Sequence, residues 1–227
     1  MIKDLKLTFG IMKYAPKTKT YIVLGIVFPI IGILYEIMNV FKDYGLMMGG
    51  YFVALTPIYL VQVIYAIALS QLVQSSSKKK RLMTVCVSLV YSLFTLLGYI
   101  IIAVIRIAGG YYNGWENIES LSSGLVITVL VMFFMTLYVH IVYRWMIAGY
   151  LTLIPLIVLL VSSINGDSPK GILLLLRSIP FCANFPLTLG ICFCLVILNG
   201  FIFYGLSLAL YNKPLSERVF KRMLTNG

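Results

Sequence analysis

Six long apolar runs dominate the chain: Tyr21 to about Met38, about Tyr51 to Val73, Leu82 to Ile105, about Leu121 to Tyr143, Ile147 to Ile164, and Pro186 to Tyr211. Each approaches the ~20 residues that a helix needs to cross bilayer hydrocarbon, and none alternates polar with apolar residues as a barrel strand does. The expected fold is an all-α membrane protein with six transmembrane helices. Composition agrees, since 61% of the 227 residues are apolar and 11% charged, against roughly 45–50% and 25% in soluble domains. A large soluble catalytic domain is excluded. The first run passes through Tyr35-Glu36-Ile37-Met38-Asn39 without a small-residue cleavage site, so it is expected to be retained rather than removed as a signal peptide. With no internal repeat or low-complexity linker, residues 1–227 read as one membrane domain. It divides into an interfacial segment (1–20), a six-helix bundle (21–211) and a tail (212–227).

The net charge of +11 takes its meaning from position. Threading the six runs in alternation puts Lys3, Lys6, Lys13, Lys17, Lys19, Lys78, Lys79, Lys80, Arg81, Arg144, Lys213, Arg218, Lys221 and Arg222 on one side. Lys42, Arg106, Lys170 and Arg177 fall on the other, with Glu36, Asp43, Glu116, Glu119 and Asp167. The positive-inside rule makes the first side cytoplasmic, with both termini there. Bases that border a membrane, with no folded domain to present them, exclude a nucleic-acid partner. The expected localisation is the cell membrane.

Four segments before and between these runs depart from this pattern. Residues 1–20 carry Ile2, Leu5, Phe9 and Met12 in one helical stripe flanked by Lys6, Lys13 and Lys17, as in a helix lying among lipid headgroups. Gln74-Ser75-Ser76-Ser77-Lys78-Lys79-Lys80-Arg81 joins the second and third runs. It serves as a topology signal, and its Gln and serines also suit the start of a short surface helix. Between the fifth and sixth runs, Gly171-Ile172-Leu173-Leu174-Leu175-Leu176-Arg177 is too short to cross, so it reads as an interfacial or re-entrant segment on the outer side, or as a loop resting on headgroups. The turn over 107–120, with Tyr111, Tyr112 and Trp115, reads as an aromatic belt.

Within the runs, Gln62, Gln71, His140 and Asn199 are the polar residues available to line a pathway, although isolated amides in apolar helices more often bond a neighbouring helix. Glu36 is expected near the outer end of the first span, reaching water. Cys86, Cys192 and Cys194 lie in apolar runs and Cys182 near a loop; Cys192 and Cys194, two apart on a helix, point away from each other and cannot share an ion. No metal or cofactor site is expected. No phosphate-binding loop, His-Glu-x-x-His or Gly-x-Ser-x-Gly is present, so the chain is not expected to hydrolyse nucleotide or to be an enzyme.

The basic amphipathic segment 1–20, six spans with both ends inside, the short Gln74–Arg81 loop and the outer segment 171–184 together resemble the membrane subunit of small bacterial type-2 ABC transporters, the exporter-type permeases. The opening Met1-Ile2-Lys3-Asp4-Leu5-Lys6 is also similar to that of the small members. The resemblance implies a permease without its own motor. A separate cytoplasmic ATPase, which binds ATP and magnesium, would dock beneath two permease chains, identical or not, and drive alternating access. Residues 1–20 would be the interface helix, Ser75 to Met83 the coupling helix, and Ile172 to Phe185 the outer re-entrant helices. The implied cargo is amphipathic, a peptide first, with a drug or a lipid as the other classes. Two further classes compete: a substrate-binding membrane subunit of an energy-coupled vitamin uptake system, and an intramembrane enzyme using His140 with a cysteine.

Overall fold

The computed structural model describes residue 10 and residues 18–42, 48–68, 77–164 and 179–213. The elements are α1 (Thr18–Lys42), α2 (Gly49–Ala68), α3 (Lys79–Tyr112), α4 (Ile118–Val142), α5 (Met146–Leu151), α6 (Leu153–Ile164), a 3-10 turn (Pro180–Ala183) and α7 (Phe185–Ala209). Among the described residues, α1, α2, α3, α4 and α7 are long and apolar enough to cross a membrane. The chain is a multi-spanning α-helical membrane protein.

Its helices are amphipathic in the sense opposite to soluble ones. On α1 the inward face carries Gly25, Gly32, Glu36, Asn39 and Val40, while Ile22, Val23, Ile26, Ile30 and Leu34 face outward and stay exposed. Lipid tails are as apolar as leucine, so small residues that admit close backbone approach and polar residues that need partners turn inward. Thus a carbon added at Gly32 would meet the Gly49 carbonyl oxygen at 2.8 Å, and one at Gly98 would meet Val53 at 2.6 Å. α2 is the enclosed element, packed by α1, α3 and α4, whereas α1 and α7 form the rim. Val61, Val63, Ile64, Val87, Val90 and Ile102 fill the centre with no exposure.

α3 is longer than its apolar run. It begins at Lys79, passes through a π-helical turn at Leu82–Cys86 and continues to Tyr112. At 1.5 Å per residue its 34 residues extend about 51 Å, well beyond the ~30 Å hydrocarbon core, so its basic first turn projects past the membrane. Thr84 Oγ1 donates to the Lys80 carbonyl (2.7 Å) and Ser88 Oγ to the Thr84 carbonyl (2.7 Å), tying hydroxyls into that widened turn. The turn expected over 107–120 shrinks accordingly to the few residues between Tyr112 and Ile118. Gly114 and Trp115 both have positive φ there. Such a backbone is rare for a bulky residue, and Trp115 is held by packing over Gly110 and by ring contacts with Tyr111 (5.4 Å) and Phe185 (5.2 Å).

The expected fifth span is broken. α5 stops at Leu151 and α6 starts at Leu153, because Pro155 has no N–H to give the Leu151 carbonyl and its ring crowds that turn. Thr152 closes the gap with its N–H to Ala148 O (3.2 Å) and its hydroxyl to Gly149 O (2.6 Å). Further on, α7 starts cleanly, with the Asn184 side chain accepting from Leu187 N (3.2 Å) and Pro186 in the first turn. The 171–178 part of the outer segment, and residues 1–9 and 214–227, lie outside the described residues.

Helices α4 and α7 run parallel. Their starts meet where Trp115, just before α4, touches Phe185, and their ends meet at His140 and Ser207 (3.0 Å) and at Arg144 and Leu210 (2.9 Å). The chain between them therefore travels from one end of the bundle to the other. The glycine contacts yield a test. Gly109→Leu, which drives a side chain into Val40, should cost about 1–3 kcal/mol of stability, whereas Gly190→Leu, which meets only open space, should be near neutral in the same thermal unfolding series in detergent.

Candidate functional site

Two buried polar clusters lie at opposite ends of the bundle. The first sits where the end of α1, the starts of α2 and α4 and the last turns of α3 converge. Glu36 on α1 pairs with Arg106 on α3, both shielded from solvent. The Arg106 Nη1 also donates to the carbonyls of Leu121 (2.8 Å) and Ser120 (3.2 Å) at the start of α4. Glycine makes the site: any side-chain carbon at Gly124 would strike the guanidinium, and one at Gly49 would strike the Glu36 carboxylate. Glu36 therefore does not reach water, contrary to expectation, and Arg106 is not a surface base of the outer side. Buried together, this acid and this base compensate each other, since either alone would be costly in hydrocarbon.

The second cluster joins α3, α4 and α7 in the half nearer the basic side. Thr136 Oγ1 donates to Asn199 Oδ1 (2.9 Å) and lies 2.8 Å from Tyr91 Oη, which donates to the Met132 carbonyl (3.1 Å). One turn further, His140 Nδ1 lies 2.9 Å from the Thr136 carbonyl and Nε2 lies 3.0 Å from Ser207 Oγ. A carbonyl only accepts, so Nδ1 carries the proton and the Ser207 hydroxyl donates to Nε2, a tautomer inferred from this network. Tyr91 stacks on Phe203 (4.0 Å), whose ring also meets the His140 edge (4.3 Å). Arg144 then closes the end of the bundle, with Nε on the Leu210 carbonyl and Nη1 on the His140 carbonyl. Burial there pulls the Arg144 guanidinium below its ordinary pKa, while the neighbouring Tyr65 works in the opposite direction.

Of the four residues read as pathway candidates, His140 and Asn199 come together through Thr136, and Gln62 lies elsewhere, beside Tyr143. Gln71 lies outside the described residues. His140 and Asn199 have essentially no exposure, so here they fasten helices together. The side chain hydrogen-bonded to His140 Nε2 is that of Ser207, not the cysteine that the competing enzyme reading would require. Of the loop residues, Ser77 and Lys78 form a turn and Lys79, Lys80 and Arg81 are the first turn of α3 itself; Gln74, Ser75 and Ser76 lie outside the described residues. So do Lys6, Phe9, Lys13 and Lys17. Cys182, expected near an exposed loop, is fully buried in the 3-10 turn packed on α4 and α7.

The missed residues differ in how visible they were. Arg106, set between Ile105 and Ile107, was a signal, because a base inside a span calls for an acid at matching depth. Tyr91, Thr136 and Ser207 gave none, as a hydroxyl in an apolar helix can satisfy itself on its own backbone. Beside this second cluster, an apolar groove of about 420 Å³ runs between α3 and α7, open to the side, with Val85, Leu89, Ser92, Ile197, Phe201 and Tyr204 among its walls.

No family model, curated protein or solved structure matches the chain. The functional reading therefore rests on the residues and their geometry.

Two predictions test the clusters. Arg106→Met should destabilise the protein by about 3–5 kcal/mol, because it strands a buried carboxylate, and adding Glu36→Leu should restore much of the loss; denaturant titration in detergent measures both. Burial, with the Glu119 charge adding to it, pushes the Cys182 thiol above its ordinary pKa. Its thiolate fraction below that pKa is smaller than that of a free cysteine, so maleimide should label it slowly at neutral pH and faster as the pH rises.

Proposed function

We propose that the chain is the membrane-spanning permease subunit of an ATP-driven exporter. It moves an amphipathic substrate, a peptide before a drug or a lipid, by alternating access powered by a separate ATPase that binds the ATP and magnesium. Two permease chains, alike or different, form the conduit. The parallel course of α4 and α7 supports six crossings, with α5 and α6 on the returning path. By the positive-inside rule both termini and the start of α3 then face the cytoplasm.

The observation that carries this reading is α3. Lys79, Lys80 and Arg81 occupy its first turn, where positive charge opposes the helix dipole and costs a few tenths of a kcal/mol per residue or more. The helix dipole does not call for positive charge there, and a basic turn at the end of a helix longer than the hydrocarbon core suits a coupling role. The same rod carries Arg106 on its far side, about 40 Å away at 1.5 Å per residue, held to α1 and α4. A push at the basic turn is thus delivered across the bilayer to the clamp at the outer end. The π turn at Leu82–Cys86 is the point at which the rod can adjust its register.

Replacing Lys78, Lys79, Lys80 and Arg81 together by glutamine should weaken association with the ATPase and reduce transport in reconstituted vesicles while leaving insertion intact. Unchanged association and transport would overturn the coupling role. One specific contact favours a second reading, an intramembrane hydrolase, since Ser207 donates to His140 Nε2 as a nucleophile does to its base. Ser207→Ala separates the two: it leaves ATP-driven export near the native rate, and it abolishes activity if the chain is a hydrolase.

A further inference from the structure

The π turn of α3 is gripped by α7 on both sides. Before the turn, the Lys80 ammonium lies over the ring of Tyr211, 5.9 Å from the centroid, just past the end of α7. After it, Ser88 Oγ lies 3.4 Å from the Oγ of Ser207 in the last turn of α7. Ser207 is itself held in place, because its hydroxyl meets His140 Nε2 on α4 at 3.0 Å. Between these two contacts the backbone carries one residue more than an α-helix would, with the Val87 N–H reaching back to the Leu82 carbonyl. A single π turn is an uncommon arrangement, and in α3 it coincides with the stretch that a second helix holds at either end.

Tightening the turn to α geometry would rotate everything before it by one residue's step, about 100°, and shift it about 1.5 Å along the axis. Lys80, already exposed, would leave the Tyr211 ring and keep its ammonium in water. Ser88 has an acceptor in both registers. Its one proton goes to the Thr84 carbonyl at 2.7 Å in the π turn, and the Ser207 oxygen stands 3.4 Å away as the alternative once that carbonyl turns aside. Ser207 is free to accept, because its own proton is committed to His140 Nε2. Leu82 and Met83, now buried, would turn outward, but lipid tails are as apolar as leucine, so they would give up packing rather than shelter from water. Neither register strands Lys80, Ser88 or Ser207. The two differ by one cation–π contact, some packing and the partner of one hydroxyl.

We propose that the Leu82–Cys86 turn is a one-residue register switch. In the π register Lys80 sits on Tyr211 and the basic turn is held on the α7 side of α3. In the α register Ser88 bonds Ser207 and the basic turn swings away by about 100°. A partner that prefers the basic turn in one orientation shifts the balance by its difference in affinity for the two. The switch deepens the coupling role given to α3 and supplies its regulation, yet it is a property of this chain and is tested without an ATPase. Failure of the rotation would leave the permease reading to its own association test, and absence of an ATPase would leave the rotation to be measured.

The test uses the full chain in lipid nanodiscs, with the exposed Cys194 replaced by serine. Nitroxide labels are attached at Lys213→Cys and at either Arg81→Cys or Lys79→Cys, and each pair distance is read by pulsed electron paramagnetic resonance. Residues 79 and 81 lie about 200° apart on a helix, so a rotation shortens one distance and lengthens the other, by up to about 8 Å on a helix roughly 10–12 Å across. Fraying would instead broaden both. Tyr211→Leu, which removes the ring, should shift the two distances in this opposed way, while Tyr211→Phe, which keeps the ring, should leave them at the native values. Deleting Val85 removes the extra residue and should reproduce the Tyr211→Leu distances in a chain that still has its ring. Native distances in Tyr211→Leu, or broadening without opposed shifts, would overturn the switch, and so would a Val85 deletion that folds with native distances. Should the deletion fail to fold, the comparison of Tyr211→Leu with Tyr211→Phe decides alone.

Discussion

Hydrocarbon offers no water to an ionised side chain, and the pairing of Glu36 with Arg106 answers that constraint for the half of the bundle away from the basic turn. The pair bridges α1 and α3, and the guanidinium reaches on to the carbonyls at the start of α4. Gly49 and Gly124 exist to leave room for it, so α2 and α4 are drawn in as well. Four helices are thereby set at one depth by one electrostatic contact. Such a pair contributes little net stability against an apolar replacement, but it makes any other register of these helices costly, because a slip would leave a charge stranded.

The half nearer the basic turn is fastened differently. Hydroxyls, an amide and an imidazole hold α3, α4 and α7 through short hydrogen bonds that remain neutral, with aromatic rings packed around them. Neutral bonds in a membrane are worth about 1 kcal/mol or less each, so this end is the more easily rearranged. A stiff clamp at the Glu36–Arg106 end, a looser lock at the basic end and a continuous α3 linking them make a natural lever. The π turn and the groove both lie at the loose end of that lever, close to the basic first turn of α3.

The long apolar helices were legible in the sequence, because span length and hydropathy are properties of local segments. Pro155 and Thr152 account for the one run that did not form a single helix; the proline was visible, while its effect depended on whether neighbours repaired the break. The ends of α3 were not legible, since Lys79–Arg81 and Arg106–Tyr112 are polar enough to read as loop although their backbone continues the helix. Glu36 was misplaced for a related reason. Its position in the run suggested access to water, and only the fold brings Arg106 against it. The candidate site was legible in part: His140 and Asn199 stood out as polar residues in apolar helices, but Thr136, Ser207 and Tyr91, which join them, are ordinary in such segments. The groove could not be read at all, because it is made by the fit of two helices far apart in sequence.

The proposed permease depends on a motor that is another polypeptide. The most direct measurement is to purify the tagged chain from its native membrane in mild detergent, identify what accompanies it, and assay the preparation for ATP hydrolysis. The account predicts a soluble ATP-binding protein in fixed stoichiometry and magnesium-dependent hydrolysis that the chain alone lacks. A chain that emerges alone, without ATPase activity from preparations in which other membrane complexes remain intact, would contradict it.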